Sequence, residues 1–391
     1  MIFRIILTAY DFPPRLGGIA TCAHEVSQAL ARRKNEVELV VLARYTRGSE
    51  TFDRSCGLNI HRFRPLGTGS LASIPPLARA IRSELGKRPV DVILNLNWMP
   101  EAAATRGALW GIRARPAWFC WAHAMEIIES DKTLKKKIRG HASFVKKWLF
   151  RELTGVFAVS RFTKRLVLQR TGIQEENVSV VWNGVDTAKY VPNPRTQTDI
   201  LELISVCRLE PFKGVDQVLE SLGRLDQQHP ELAWHYRIVG EGPDRARLEQ
   251  LTRSSGLAKR VTFLGAISEA DKISAYQNSD IHLLCSREDW DAPNIEGFGV
   301  VFLEAAACGL PSIGGNSGGI PDAIEDQKTG LLVPPEDPKA IMEALLFLAR
   351  NPKIRLEMGK NARERCENSF RWDDVAERIL HRMKQSRKGS A

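Results

Sequence analysis

The chain has 391 residues, of which 43% are hydrophobic and 26% charged, a length comfortable for two domains and a composition that excludes a disordered or fibrous protein. Its net charge of +10 is unevenly spread, with 30 Lys/Arg against 16 Asp/Glu in residues 1–190 and 26 against 30 in residues 191–391. A basic half suits an anionic partner such as a membrane surface; nucleic acid is disfavoured because zinc-finger spacing, an RNP-like aromatic string and a clear helix-turn-helix are all missing.

The first residues, FRIILTAY, read as a buried strand, too short to span a membrane and without a small-residue cleavage site. The loop DFPPRLGGIA follows and opens a helix near Gly18 to Arg33. Further strands are expected at EVELVVLA, VDVILNLN, AWFCWAH, GVFAVS and VSVVWNGVD, and their alternation with helical patterns predicts a parallel sheet of βα units. After the polar, Pro-containing VPNPRTQTD the pattern restarts with LELISVCRL, WHYRIVGEGP, VTFLGAI, DIHLLCS and LPSIGG. Two Rossmann-like domains facing each other are expected, over 1–192 and 193–370, with a final amphipathic helix and tail over 371–391. Ligands of open α/β sheets bind beyond the carboxyl ends of the strands, which is where the candidate residues fall. The seven cysteines stand singly with no C-x-x-C, so neither a disulfide framework nor a zinc site is expected, and the compartment expected is the cytosol.

Gly17 and Gly18, between a strand and a helix, permit a tight loop whose N–H groups face an anion, although a plain βα turn would look the same. No Walker A or G-x-G-x-x-G pattern is present, which disfavours a P-loop NTPase or ordinary dehydrogenase. In VCRLEPFKG, Arg208 and Lys213 could stabilise a leaving diphosphate or merely charge the surface. His123 in CWAHAMEI ends a strand, where a satisfied core histidine would look alike. The most informative segment is EGFGVVFLEAAACGLP. Gly297, Phe298 and Gly299 form a turn into a buried helix that opens at Val300, Glu296 lies in the loop above, and Glu304 lies about two turns down among apolar residues. A carboxylate so placed is costly unless paired. This spacing does not flank one anomeric carbon as a glycosidase pair would, so Glu296 is better placed to bind sugar hydroxyls. Asp289 and Asp291 form a DWD triplet read as coincidental rather than metal-binding. In the segment from Asp131, Leu134, Ile138, His141, Val145, Trp148 and Leu149 share a helical stripe, flanked by Lys135, Lys136, Lys137, Arg139, Lys146 and Lys147. This is either core packing with a solvated basic face or a helix lying on an anionic membrane.

The pair in EGFGVVFLE resembles the E-x7-E motif of the GT4 retaining glycosyltransferases, which have the GT-B fold, and the resemblance runs along nearly the whole chain. RLEPFKG matches the family's R-L-x-x-x-K-G pattern, while IVGEGP and VTFLG resemble its elements near the nucleotide. The resemblance implies that Gly17 and Gly18 lie against the donor diphosphate and that Arg208 and Lys213 act on the leaving group. It also implies that His123 lies beside the transferred sugar, Glu296 binds that sugar and Glu304 binds the ribose. Ala124 replaces the family's usual glycine after the histidine, and Glu126 matches a nearby acid. The strings DFPPRLGGIA, EGFGVVFLEAAACGLP and SGGIPDAI are similar to those of bacterial phosphatidylinositol-mannoside mannosyltransferases and related polysaccharide enzymes. The expectation is therefore retaining hexose transfer, with mannose from GDP-mannose as its specific form and UDP-hexose as the other donor. The acceptor expected is lipid-linked or an envelope glycan, met at the cytoplasmic face of the inner membrane, with no metal or separate cofactor. The family's front-face mechanism, in which the leaving phosphate helps deprotonate the acceptor, fits retention without a nucleophile. A GT-B epimerase or phosphorylase and a non-catalytic basic binding protein are the alternatives.

Overall fold

A computed structural model describes residues 2–388 except 16, 129–135, 194–198 and 291–293, and gives the backbone alone for 136–143 and 387–388. It divides into two compact units, Met1–Asn183 with Trp372–Ala391, and Gly184–Arg371.

The first unit holds a seven-stranded sheet in the order β3-β2-β1-β4-β5-β6-β7. The strands are β1 (Phe3–Ala9), β2 (Val37–Arg44), β3 (Ile60–Phe63), β4 (Val92–Asn95), β5 (Ala117–Ala122), β6 (Gly155–Ala158) and β7 (Val178–Val180). Every pairing is parallel, and β1, FRIILTA, is buried along its whole length, as a strand covered by helices on both faces must be. The strand order reverses between β1 and β4, so the loops after these strands diverge and leave a crevice. The helix Gly18–Arg32 turns Cys22, Ala23, Val26, Ala29 and Leu30 inward. The closing helix Trp372–Lys388 packs on it, with Arg32 bonded to Asp373 at 2.7 Å.

The second unit repeats the architecture with six parallel strands in the order β10-β9-β8-β11-β12-β13. These are β8 (Leu201–Val206), β9 (Trp234–Val239), β10 (Val261–Gly265), β11 (Ile281–Leu284), β12 (Ser312–Gly315) and β13 (Gly330–Val333). Its core joins Leu203, Leu219, Tyr236, Ile281 and Leu283 to the helix Pro338–Arg350, and the order reverses between β8 and β11. The unit begins at Gly184 rather than at the polar stretch after Pro192. The physical reason is hydrogen bonding: Val185 N–H donates to Phe370 O at 2.7 Å, and the Arg363 guanidinium donates to Thr187 O and Tyr190 O. Two strands, β3 and β13, were not anticipated from the sequence; each is a four-residue edge strand.

Candidate active site

In the first unit the candidate residues gather at the carboxyl ends of β1, β4 and β5. Gly17 is exposed with φ +145°, a conformation that L side chains rarely adopt. The helix it precedes has no side-chain cap, leaving its first N–H groups for an anion. The loop is held from beneath: Tyr10 N–H donates to the Glu101 carboxylate at 2.8 Å, and the Tyr10 hydroxyl accepts from Arg44 at 2.6 Å.

His123 follows β5 with its ring stacked on Trp121. Nε2 lies 2.9 Å from Leu96 O, and because a carbonyl only accepts, Nε2 carries the proton. Desolvation holds the His123 pKa below the usual histidine value despite the nearby Glu126 carboxylate, so the imidazole is neutral at physiological pH. Glu126 accepts the His123 backbone N–H at 2.5 Å, and Trp98 donates to Glu126 O at 2.7 Å. Ala124 is buried with φ +91°.

Glu101 escaped the sequence reading. It is buried after β4, with one oxygen on Tyr10 N–H and the other without a hydrogen-bond partner among the described residues. Burial first, then Asp11 and Glu126, push its pKa up to about 8, so it is largely protonated at neutral pH. The signal that singled out Glu304, an acid flanked by apolar residues, is also present in MPEAAA.

In the second unit Lys213 and Glu296 meet. Lys213 closes the loop after β8, Glu296 lies in the loop after β11, and Lys213 Nζ stands 2.5 Å from a Glu296 oxygen. Burial works against the lysine charge, but the Glu296 carboxylate more than offsets it and holds the Lys213 pKa above the ordinary value. Gly299, at φ +89°, opens the helix Val300–Ala307, which has no side-chain cap. A Cβ there would lie 2.5 Å from the Phe302 ring, so the turn that presents these N–H groups requires glycine. Gly297 and Phe298 are buried, and Phe298 packs against Phe370, leaving backbone rather than the aromatic ring for a ligand. Arg208 is 73% exposed and pairs with Glu210 at 2.9 Å.

Glu304 points into a polar cluster. Lys272 reaches it at 2.9 Å, the Tyr276 hydroxyl donates to its second oxygen at 3.1 Å, and Lys272 also meets Glu269. The cost of a carboxylate in an apolar helix is thus offset by a half-buried cation and a buried phenol, neither apparent from the motif. Asp289 forms a bridge with Asn294, Asp291 lies outside the described residues, and among those residues no cluster suits a metal ion.

The basic segment requires a correction. Lys146 is buried, donating to Ile127 O at 2.8 Å and lying 5.6 Å from the Trp98 ring centroid, so it offers no surface charge. Lys147 is exposed; Lys135 and the side chains of Lys136 and Lys137 lie outside the described residues, as do those of Leu134, Ile138 and His141. The remaining stripe divides, with Leu149 inward and Val145 and Trp148 outward. Among the described residues no helix is long and apolar enough to cross a membrane.

Comparison with known proteins agrees with this architecture. Residues 16–189 match the family model Glycosyltransferase Family 4, and residues 188–365 match Glycosyl transferases group 1. The chain is 27% identical, over 94% of its length and 95% of the relative, to a GDP-mannose-dependent alpha-(1-6)-phosphatidylinositol monomannoside mannosyltransferase of Mycolicibacterium smegmatis. It is 25% identical, over 95% of its length and 92% of the relative, to a glycogen synthase of Mycobacterium tuberculosis. Among solved structures, Anabaena HepE in complex with UDP and glucose superposes with a TM-score of 0.77 at 19% identity, covering 98% of this chain and all of that one. The sucrose-phosphate synthase of Thermosynechococcus elongatus gives 0.78 at 20% identity, covering 98% of each chain. With GT-B architecture and two family models that together span residues 16–365, the chain belongs to the glycosyltransferases, of family 4 in its first half and group 1 in its second.

Proposed function

We propose that this glycosyltransferase moves a hexose, with retention of anomeric configuration, from a nucleotide sugar to a lipid-linked or cell-envelope glycan acceptor. The observation that carries the reading is the Lys213–Glu296 pair beside the uncapped helix start at Gly299. A protonated lysine and free N–H groups suit a diphosphate whose charge grows as the glycosidic bond breaks, and a carboxylate suits sugar hydroxyls. Arg208, exposed and paired with Glu210, is assigned to the same leaving group. Gly297, Phe298, Gly299 and Val300 contribute backbone to the donor, and Glu304 takes the ribose through lone pairs left over from Lys272 and Tyr276. In the first unit Gly17 and Gly18 offer N–H groups to the diphosphate, and neutral His123 faces the transferred sugar without adding charge.

The mannosyltransferase relative supports GDP-mannose as donor, and the solved complexes with UDP support a uridine nucleotide. GDP-mannose is the favoured form because that relative is 27% identical over nearly the whole chain, against 19% for the complex with UDP. The site of action proposed is the cytoplasmic face of the inner membrane, reached peripherally. Thermal stabilisation by a panel of nucleotide sugars tests the donor, since a ligand that binds only the folded state raises the melting temperature. NMR of the product then reads the anomeric configuration. An inverted product ends the retaining assignment, and a panel in which no nucleoside diphosphate or nucleotide sugar stabilises the protein ends the donor assignment.

A further inference from the structure

The helix Lys136–Glu152 turns an unusual face outward. Phe144 is 72% exposed and Trp148, one turn on, is 41% exposed; Trp110, from the neighbouring connection, is 74% exposed. The two tryptophans are linked through Arg106, whose guanidinium lies 4.9 Å from the Trp148 ring centroid and 6.0 Å from that of Trp110. Arg106 is itself anchored to Glu152 at 2.7 Å, and Arg82 fixes the Trp110 backbone by donating to its carbonyl at 2.8 Å. Lys147 and Arg151 are exposed on the same helix, one turn apart. Two tryptophans so far out of the core, stacked on a cation and flanked by more, are expensive to leave in water and match the interface of a bilayer, where aromatic rings sit at headgroup depth.

We infer that Trp110, Phe144 and Trp148, with Lys147 and Arg151, form the surface by which this protein lies on an anionic lipid bilayer. The inference deepens the lipid-linked part of the proposed function and rests on it for its purpose, though not for its test. Charge decides between occupants: the exposed cations beside the rings and the excess of Lys/Arg in residues 1–190 favour a negative lipid surface over a neutral protein face. Topology sets this surface away from the site, for Trp148 and Trp110 each stand seven residues before a strand, β6 and β5, and so toward the amino edge of the sheet. Because β5 and β6 are parallel, the chain must return across the sheet between them, so the helix descends from the carboxyl edge that carries His123. The contact is thus chiefly aromatic, with cations at its rim, and does not need the buried Lys146.

The test uses the full chain with vesicles of phosphatidylglycerol or phosphatidylcholine, including brominated forms that quench nearby tryptophan. Wild type is expected to sediment with the anionic vesicles, more weakly as salt rises, and brominated lipid is expected to quench part of its fluorescence. Trp110→Ala, at the most exposed ring, should weaken vesicle binding about tenfold and remove much of the quenching. Lys147→Gln with Arg151→Gln should leave quenching of the bound form intact while abolishing most of the salt dependence. Melting temperature and its rise with nucleoside diphosphate should match wild type in all variants. Failure of wild type to bind anionic vesicles, or unchanged binding by Trp110→Ala, overturns the inference. Self-association that Trp110→Ala abolishes, without vesicle binding, also overturns it and makes the patch an interface between copies. Intact stabilisation by nucleoside diphosphate alongside failed vesicle binding removes the lipid surface and leaves the glycosyltransferase reading standing; vesicle binding without that stabilisation does the reverse.

Discussion

The carboxyl edges of the two sheets handle charge in opposite ways. In the second unit both motif acids have a cation against them: Glu296 meets Lys213 at 2.5 Å, and Glu304 meets Lys272 at 2.9 Å. In the first unit Glu101 is buried with only a backbone N–H, and His123 donates to a carbonyl. The physical consequence is that Lys213 keeps its charge at neutral pH, whereas Glu101 and His123 are held neutral. A leaving diphosphate needs the former. A sugar, being neutral, is served by hydrogen-bonding groups that do not compete for that charge. The comparison is sharpest where one side can be converted into the other.

Removing the cations should have the largest effect. Lys213→Ala and Arg208→Ala are each expected to lower kcat by roughly a hundredfold or more, the scale seen when a preorganised charge stabiliser is lost. Lys213→Ala also leaves Glu296 without its ion pair, whereas Arg208 is exposed, so Arg208→Ala should leave the melting temperature unchanged. Steady-state turnover with the preferred donor checks both; wild-type kcat in either variant removes that residue from the leaving-group role.

Glu296→Gln makes the second edge resemble the first. Burial lowers the Lys213 pKa and Glu296 raises it, so without the carboxylate the lysine should lose its proton at lower pH. The alkaline limb of the kcat profile should therefore move down in pH, and nucleotide-sugar affinity should fall while free nucleoside diphosphate affinity holds. The stability from this pair is fully present below the ordinary lysine pKa and lost as pH rises through the elevated one. Glu304→Gln should weaken both ligands by about tenfold, with a loss of about 1–3 kcal/mol in stability because Lys272 and Tyr276 lose a charged partner. Calorimetry giving identical ligand profiles for the two variants would reject the division between sugar and ribose.

Glu101→Gln runs in the opposite direction. Folding raises the Glu101 pKa, so the unfolded chain gives up this proton first, and stability falls as pH climbs from the ordinary glutamate range to about 8 and levels off above it. Glutamine keeps an oxygen for Tyr10 N–H and carries no charge, so the variant should be more stable by about 4–5 kcal/mol at pH 8–9 and equal to wild type near pH 4. Denaturant unfolding across pH checks it. A flat difference between variant and wild type would mean that Glu101 is already ionised at neutral pH.

What could be read beforehand divides along burial. The strands covered on both faces announce themselves as apolar runs, β1 most plainly, whereas the edge strands β3 and β13 have half-exposed residues that break the run. The motif residues Lys213 and Glu296 were legible by type and spacing; their pairing was not, because 83 residues separate them and only the fold brings the two loops together. Lys146 shows the limit of helical patterning. A lysine in a basic run reads as surface, but Ile127 O and the Trp98 ring give its charge a buried partner from other parts of the chain. Glu101 shows the reverse, an acid whose apolar neighbours betray its burial but whose partner, the Tyr10 backbone, has no sequence signature.

The smallest expected effect concerns the one departure from the family pattern beside His123. Ala124 is buried at φ +91°, in a region where a Cβ crowds the backbone, and its carbonyl accepts from Ile127 N–H at 2.9 Å, so the turn cannot relax without breaking that bond. Glycine removes the crowding but loses more entropy on folding, and the two contributions partly cancel. Ala124→Gly should accordingly stabilise by about 0.5–1 kcal/mol, a rise of a few degrees at most in melting temperature. The His123 backbone N–H should stay on Glu126, so kcat should change less than twofold. A loss of stability in the variant would mean that the alanine methyl group, packed in the core, contributes more than its backbone strain costs.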